Sequence, residues 1–296
     1  MTPVGRDTQG GRAYLDLQRL ARSLGRPTDE LLRGYVLERF LWRVASSRYR
    51  DQLILKGGML MATLAQRRPT ADVDMLAKAL PNELEHVSGI VAEITRIPNS
   101  DGVEYHPEQA KVSTIRDATA YPGVRVSVPA QIDRAKAPLR VDINVGDPVT
   151  PGPVVVEYPG LLGERFDVVS YPVETVLAEK IVTMLERGEL TTRERDFADV
   201  YQITANLNVD GGSLTAAIDA TIAHRGAERQ PIRAAVGGLA DHRQSSWSAY
   251  IATTGMGGLV PEDFDTVIGA VAGFADPVVA RSVKGKGWVA RTRRWT

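Results

Sequence analysis

Three aspartates stand at spacings suited to metal chemistry. Asp72 and Asp74 are two residues apart in an alternating run, so a strand there points both carboxylates to one face. Asp142 lies in a second alternating run, away from the apolar side. Carboxylate oxygens are ligands that Mg²⁺ prefers, and a same-face pair can hold one ion or bridge two. We therefore predict a metal site that Asp142 joins as a ligand or serves as general base; the alternative is a polar strand surface.

A pair of glycines adds a feature suited to phosphate. Gly57 and Gly58 follow the apolar residues 53–55 and precede a small helix predicted over residues 59–66. Glycines at a helix start let backbone N–H groups approach a phosphate, although a simple turn is the alternative. The glycine pair and the three aspartates form the combination that metal-dependent nucleotidyl transfer requires. In such a site carboxylates hold metal, metal bridges the triphosphate, and an acid helps deprotonate the incoming hydroxyl.

One lysine is predicted on a buried helix face. Residues 173–186 carry an apolar stripe at helical spacing, and Lys180 falls within it, four residues after Val176. Burying an unpaired ammonium is very costly, so Lys180 needs a carboxylate or a phosphate. We expect it to hold the β- and γ-phosphates of a nucleotide. A lysine whose ammonium reaches the rim of the core is the alternative.

Two aspartates share a face of the next predicted helix, residues 193–205. Asp196 and Asp199 are three residues apart, and Arg195 is spaced to pair with Asp199 at i,i+4. Because Asp196 borders the packed face, we expect it to orient Lys180 or to contact the nucleotide. A salt bridge that fixes the helix in place is the alternative.

The elements around these residues predict an α+β fold. Helices are predicted over residues 13–23, 29–46 and 83–95, and strands over 71–76, 111–115, 124–128, 139–145 and 166–169. From residue 171 onward the pattern is mainly helical. We expect a sheet domain over residues 1–170 and a helical domain over 171–296. The Gly-rich first dozen residues are expected to be a loose end, and Thr28 to be the N-cap of the second helix.

Composition narrows the class of protein. The chain has 296 residues, 43% hydrophobic and 24% charged, which is ordinary globular usage and excludes a fibre, a coiled coil or a disordered chain. The formal net charge is zero, so attraction to nucleic acid must come from local clusters. Cysteine is absent, which excludes thiol chemistry and disulfides. With no membrane-length apolar run and no signal-like N-terminus, we predict a cytoplasmic protein without a membrane partner.

These motifs together resemble those of the AbiEii/MenT toxins of bacterial toxin–antitoxin systems. The first motif of that family is matched by Lys56-Gly57-Gly58, Arg67 or Arg68, Thr70 and Asp72-x-Asp74. Later motifs are matched by Glu174, Glu179-Lys180, Arg187 and Arg195-Asp196-x-x-Asp199-Val200-Tyr201. The likeness covers about residues 50 to 205, in the order of the family.

The resemblance implies a polymerase-β-like nucleotidyltransferase sheet and a helical domain that completes the active site. It implies transfer of NMP from an NTP, with Mg²⁺ or Mn²⁺, to an RNA acceptor such as the 3′ end of tRNA, which blocks aminoacylation and growth. A cognate AbiEi-like antitoxin would be the protein partner. The expected metal ligands are Asp72, Asp74 and Asp142, with Lys180 and Asp196 as further catalytic residues. The expected nucleotide-binding residues are Lys56, Gly57, Gly58, Arg67, Arg68, Thr70, Lys180 and Arg195.

Other functions remain compatible with the sequence. A nucleotidyltransferase that modifies a protein would use the same site. A glycosyltransferase also binds a metal–nucleotide through Asp-x-Asp, but it gives no role to Gly57 or Lys180. A non-catalytic nucleotide- or RNA-binding module would not need all three aspartates.

Thr70 is a candidate for regulation. It follows Pro69 and precedes Asp72 by two residues, so an extended backbone would place its hydroxyl on the face of the metal site. Phosphorylation there would add about −1.5 to −2 charges beside the carboxylates and occupy the place of the triphosphate. A strand-starting residue with a local hydrogen bond is the alternative.

The C-terminus is strongly basic. Residues 281–296 contain no acid, and the basic residues are Arg281, Lys284, Lys286, Arg291, Arg293 and Arg294. Trp288 and Trp295 are interleaved with them. Basic residues neutralise phosphates and aromatic rings stack on unpaired bases, so this tail is a candidate RNA-binding segment. A solvated tail with two packed tryptophans is the alternative.

Overall fold

The computed structural model describes residues 4–81, 83–115 and 123–296. Its helices and mixed sheet confirm the predicted α+β class. The chain divides into two compact units. The sheet unit comprises Met1–Thr63, Pro69–Gly146 and Val155–Ser170. The helical unit comprises Leu64–Arg68, Asp147–Val154 and Tyr171–Thr296, so two short segments from before residue 171 belong to it.

The sheet unit is built on a seven-stranded mixed sheet with the order β4-β5-β8-β2-β1-β10-β9. Those strands are β1 Leu53–Lys56, β2 Val73–Ala77, β4 Lys111–Ile115, β5 Gly123–Val128, β8 Leu139–Val145, β9 Val154–Pro159 and β10 Arg165–Ser170. A smaller sheet contains β3 Val103–Tyr105, β6 Ala130–Ile132 and β7 Ala135–Lys136. The helices are α1 Gln9–Leu24, α2 Thr28–Ala45, α3 Gly57–Leu64 and α4 Leu84–Thr95.

The central strands bury apolar residues because helices of the same unit pack on the sheet, α2 against β8 and β10 and α4 against β4 and β5. All four residues of β1 are buried, and Val73, Met75 and Val141 of β2 and β8 are fully covered. β2 runs antiparallel to β1 and parallel to β8, while β8 runs antiparallel to β5. Side chains of directly opposed residues share a face, so this register decides which polar residues become neighbours.

The helical unit packs its helices around aromatic and aliphatic side chains. Its helices are α5 Val173–Arg187, α6 Glu194–Asn206, α7 Gly211–Arg225, α8 Ile232–Ala235, α9 Leu239–Thr254 and α10 Phe264–Val279. Phe264 packs against Phe197 of α6 and Trp247 of α9, with ring centroids 5.3 and 4.8 Å apart. These contacts tie α6 and α9 to the start of α10.

The basic C-terminal segment is folded, which corrects the expectation of a tail. It forms β12 Gly287–Val289 and β13 Arg294–Trp295, which pair with each other and with β11 Val209–Asp210. Trp288 is buried, and its indole N–H donates to the Thr204 carbonyl at 2.8 Å. The indole N–H of Trp295 donates to the Phe274 carbonyl at 3.0 Å; Trp295 stacks on the Phe274 ring, and Trp288 meets that ring edge to face. The buried Trp288 is therefore not available for base stacking.

Two expectations about the N-terminal helices were wrong. α1 begins at Gln9 rather than at residue 13, because the Thr8 hydroxyl accepts from the Gly11 N–H and caps the helix; Met1 to Pro3 lie outside the described residues. Thr28 is the first residue of α2 and makes no capping bond, because Pro27 occupies the N-cap position. The acidic residues of the first turn, Asp29 and Glu30, complement the helix dipole as expected.

Candidate active site

Four charged residues lie in one row across the sheet. Lys56 of β1 is directly opposite Asp74 of β2, Asp74 is opposite Asp142 of β8, and Asp142 is opposite Arg125 of β5. Opposed residues point to the same face, so two carboxylates lie between two cations. We call this row, with Asp72 and the Gly57-Gly58 turn, the sheet site.

Asp72 lies just before β2 rather than inside it, because the strand begins at Val73. The Thr70 hydroxyl donates to its carboxylate Oδ1 at 3.2 Å. Thr70 is half-buried, and its hydrogen bond places the hydroxyl beside the Asp72 carboxylate. A hydroxyl that bonds the metal-ligand candidate fits the local-turn alternative as well as the regulatory hypothesis.

The electrostatics of Asp74 indicate a shortage of positive charge. Burial raises the pKa of this carboxyl to about 6, and the neighbouring Asp72 and Asp142 carboxylates add to the rise. Lys56 and the Gly58 backbone N–H oppose it without cancelling it. A carboxylate crowded by like charges favours a bound proton or a cation. This part of the sheet site therefore has the character of a cation site.

The Gly57-Gly58 turn lies against the same carboxylate. Gly57 has a φ of +67°, which favours glycine, and a Cβ there would overlap the carboxylate of Asp74. Gly58 donates its backbone N–H to Asp74. The close approach of α3 to Asp74 therefore requires glycine at position 57, and it places a helix N-terminus beside the acidic residues.

Arg125 is a member of the sheet site that the sequence analysis did not identify. Its Nε and Nη2 donate to Oδ1 and Oδ2 of Asp142 at 2.7 and 2.6 Å, and Nη2 lies 3.9 Å from Oδ2 of Asp72. The hydrogen bond to Asp142 is the main reason that the pKa of Arg125 is raised. The alternation of Val124-Arg125-Val126 placed this residue on a polar face, but its partner depends on the strand order.

The carboxylates of the sheet site have the oxygen donors that Mg²⁺ and Mn²⁺ bind. Within the described ranges, no group of three or more histidines, cysteines, aspartates and glutamates is arranged to hold a metal ion. Asp142 is engaged by another partner, because both of its carboxylate oxygens accept from Arg125. Asp72 and Asp74 fit a hard cation because of their oxygen donors and the excess negative charge around Asp74.

A second charged cluster lies wholly in the helical unit. Lys180 of α5 donates from Nζ to Asp196 at 3.0 Å and to Asp199 at 2.6 Å, both on α6. Arg68 donates from Nε and Nη2 to the two oxygens of Asp199 at 2.8 and 2.9 Å. Arg193 donates from Nε to Asp196 at 2.5 Å. We call these five residues the helix cluster.

The helix cluster is buried apart from the partly exposed Arg193, and the charges of its carboxylates are compensated. Burial acts to raise the pKa of Asp196, but Lys180 and Arg193 outweigh it and the pKa is lowered. For Asp199, Lys180 and Arg68 likewise outweigh burial and lower the pKa. Burial acts to lower the pKa of Lys180, yet the two carboxylates raise it, so the side chain is an ammonium. The sequence requirement that Lys180 find a carboxylate or a phosphate is met here by carboxylates.

The remaining predicted residues fall in different surroundings. Arg195 is exposed, and the predicted Arg195–Asp199 pair does not form, because Arg68 and Lys180 already occupy the Asp199 carboxylate. Arg193 and Arg68 supply the arginine contacts instead. Arg67 is half-buried beside Arg68 in the helical unit, and Lys56 is buried in the sheet site.

Comparison with known proteins identifies the family. The family model described as nucleotidyl transferase AbiEii toxin, type IV TA system, matches residues 39–270, well over half of the chain. The chain belongs to this family, as its motifs predicted. It is therefore a nucleotidyltransferase and a toxin of a toxin–antitoxin system, which implies a nucleotide substrate and an antitoxin partner.

Two solved structures from Helicobacter pylori are similar to this chain over most of their length. JHP933 from Helicobacter pylori is 14% identical, with a TM-score of 0.46 over 90% of this chain and 92% of that one. A candidate nucleotidyltransferase from the same organism is 15% identical, with a TM-score of 0.46 over 90% of this chain and 95% of that one. These values transfer no function. No curated protein matches the sequence. Along the described part of the chain, no helix is long and apolar enough to cross a membrane.

Proposed function

We propose that this toxin transfers an NMP from an NTP to an RNA acceptor, at the 3′ end of tRNA, and that the reaction depends on Mg²⁺ or Mn²⁺. The observation that supports the metal dependence is the crowding of carboxylates at Asp74, whose pKa is raised to about 6 by burial and by Asp72 and Asp142. The tRNA acceptor is proposed from the resemblance to the MenT toxins. Modification of that end would block aminoacylation and stop growth.

In this proposal Asp72 and Asp74 hold the metal, and Asp142 joins them once its carboxylate is released by Arg125. Held by these carboxylates, a divalent cation would supply positive charge that stabilises the leaving pyrophosphate. The acceptor hydroxyl oxygen forms a bond to the α-phosphorus, and the bond from that phosphorus to the β-phosphate oxygen breaks. The hydroxyl proton leaves to solvent or to a nearby carboxylate.

Other residues of the sheet site would position the nucleotide. Gly57 brings the N-terminus of α3 close to Asp74, where its dipole favours a phosphate. Lys56 is a buried cation opposite Asp74 and offsets part of the negative charge of the site. Thr70 anchors Asp72 through the 3.2 Å hydrogen bond from its hydroxyl. Phosphate binding by Arg67, Arg68, Lys180 and Arg195 stays a prediction from the resemblance.

The experiment is a labelling reaction with each α-labelled NTP and total cellular RNA. We expect label in RNA of tRNA size with one or two of the NTPs, and none after addition of EDTA or in Asp74→Asn. Periodate oxidation of the 3′-terminal ribose of purified tRNA should abolish labelling, because it destroys the acceptor hydroxyl. Label in a protein band would instead support a protein acceptor, and label that resists EDTA would contradict the metal dependence.

The antitoxin partner can be tested in cells. Expression of the toxin should slow growth, and expression of a cognate AbiEi-like antitoxin should restore it. Asp74→Asn should remove the growth defect without the antitoxin. Growth arrest by Asp74→Asn would show that toxicity does not require the sheet site.

A further inference from the structure

Arg125 occupies carboxylate oxygens that the proposed metal site needs. Both oxygens of Asp142 accept from its guanidinium, at 2.7 and 2.6 Å. The same guanidinium comes within 3.9 Å of Asp72. One arginine therefore lies against two of the three carboxylates assigned to the metal.

The backbone fixes this arrangement. Arg125 is directly opposite Asp142 in the antiparallel β5–β8 pair, and Asp142 is directly opposite Asp74 in the parallel β2–β8 pair. The base of the Arg125 side chain is therefore held at the edge of the acidic row. Its bidentate contact has the planar fork geometry that makes arginine–carboxylate pairs strong.

Exposure separates Arg125 from the comparable arginine of the helix cluster. The side chain of Arg125 is 40% exposed, while that of its partner Asp142 is 11% exposed. In the helix cluster Arg68 is 8% exposed and its partner Asp199 is 1% exposed, with the same bidentate geometry. Arg125 can therefore turn its guanidinium away through solvent without opening a cavity, whereas Arg68 is enclosed.

We propose that Arg125 is the resident counter-ion of the sheet site and couples metal binding to nucleotide binding. It neutralises Asp142 until a divalent cation arrives, and then turns its guanidinium to the phosphates of the incoming nucleotide. This inference rests on the proposed metal–nucleotide site. Because cation and guanidinium compete for one carboxylate, metal binds weakly to the free protein. It binds more tightly when phosphate oxygens give Arg125 a new partner, so Arg125 acts as a positioning residue.

The test is titration with Mn²⁺ at pH 7.5, in which the electron paramagnetic resonance signal reports free Mn²⁺. Without nucleotide, Arg125→Gln should bind Mn²⁺ roughly tenfold more tightly than the wild type, because a competing charged hydrogen bond is removed. With a non-hydrolysable NTP analogue, the affinity of the wild type should rise, and that of Arg125→Gln should rise much less. Arg165→Gln is the matched control, since Arg165 is an exposed strand arginine of the same sheet paired with Glu157.

The outcomes separate this inference from the proposed function. Equal or weaker Mn²⁺ binding by Arg125→Gln, or an undiminished effect of the analogue, overturns the role of Arg125 alone, provided that Asp74→Asn abolishes binding. If the wild type binds no Mn²⁺ with or without the analogue, the metal-dependent function and this inference both fail. Arg125→Lys keeps the charge but loses the planar fork, so it should show intermediate affinity, and it serves if Arg125→Gln does not fold.

Discussion

The sheet site and the helix cluster use the same kinds of side chain with opposite charge balance. In the sheet site three carboxylates accompany two cations, Lys56 and Arg125. In the helix cluster three cations surround two carboxylates, each of which accepts from two of them. The consequence appears in the pKa values: that of Asp74 is raised to about 6, while that of Asp199 is lowered.

This difference teaches how function and structure divide between the two regions. Carboxylates that lack enough cations are costly in the free protein, and they gain free energy when a metal binds. Carboxylates that are fully paired gain nothing from a further cation, and removing one partner leaves a buried charge uncompensated. The sheet site is therefore suited to binding, and the helix cluster to holding α5, α6 and the Arg68 segment together.

The largest effect is expected from a change in the sheet site. Asp74→Asn should lower the rate of NMP transfer by about a thousandfold or more, because the loss of metal-based stabilisation amounts to several kcal/mol. The protein should remain folded, since one source of repulsion is removed. Initial rates measure the transfer activity, and the melting temperature measures the stability. Asp51→Asn, at an exposed carboxylate, is the control. Full activity in Asp74→Asn would refute the metal assignment.

In the helix cluster, a substitution is expected to lower the stability of the protein, whereas Asp74→Asn lowers its activity. Lys180→Met should lower the free energy of unfolding by about 3–5 kcal/mol, because Asp196 and Asp199 lose a shared cation in a buried place. Urea unfolding measures this. If Lys180 also contacts the triphosphate, the KM for NTP should rise about ten- to a hundredfold. A normal KM would show that the role of Lys180 is structural. An unchanged free energy of unfolding would contradict the stabilising role assigned to the helix cluster.

The pH dependence of stability should have opposite signs in the two regions. Asp196 and Asp199 have lowered pKa values in the folded state, so their contribution is present above about pH 4, the ordinary value, and is lost as the pH falls further. Asp74 has a raised pKa of about 6, so the metal-free protein should gain about 1–3 kcal/mol as the pH falls from 7 to about 4.5.

The free energy of unfolding, measured in EDTA at pH 7, 5 and 3, checks both predicted pH dependences. Asp74→Asn should abolish the gain in the free energy of unfolding between pH 7 and 5, and should not affect the loss of stability between pH 5 and 3. Asp199→Asn should reduce the loss of stability between pH 5 and 3, and should not affect the gain between pH 7 and 5. A stability profile of Asp74→Asn identical to that of the wild type would contradict the charge imbalance assigned to the sheet site.

A smaller effect is expected at Thr70. Thr70→Glu adds a negative charge beside Asp72, in a site where carboxylates already outnumber cations, and should lower transfer about tenfold or more by competing for the phosphate position. Thr70→Val should keep a substantial fraction of activity. Full activity in Thr70→Glu would eliminate Thr70 as a control point.

The smallest effect is expected at the C-terminal strands. The exposed cations in and beside these strands, Lys284, Lys286, Arg291 and Arg294, are candidates for contact with RNA phosphates. Replacing all four with Gln should lower the slope of log affinity for RNA against log salt by up to about 3, since each contact to single-stranded RNA contributes about 0.7. NTP binding should not change. An unaltered slope would show that these residues only face solvent.

Much of the sheet site was predictable because it depends on local spacing. The alternation around Asp142 predicted that its side chain lies on a polar face, and the strands over residues 111–115, 124–128 and 139–145 were confirmed within a residue. β9 was missed because its three valines lie within a segment rich in proline and glycine. Proline and glycine mark turns and loops, so they conceal an edge strand that lies among them.

The sequence by itself determined the family, the α+β class and the need of Lys180 for an anionic partner, because motif spacing and helical periodicity are properties of neighbouring residues. Only the tertiary structure decided which partner each charge has. Arg125 meets Asp142, and Arg68 replaces Arg195 at Asp199, through strand register and helix packing. Periodicity tells which face a side chain occupies, but not which distant residue lies opposite it. The charge balance of the two regions, and hence their different chemistry, follows from those long-range contacts.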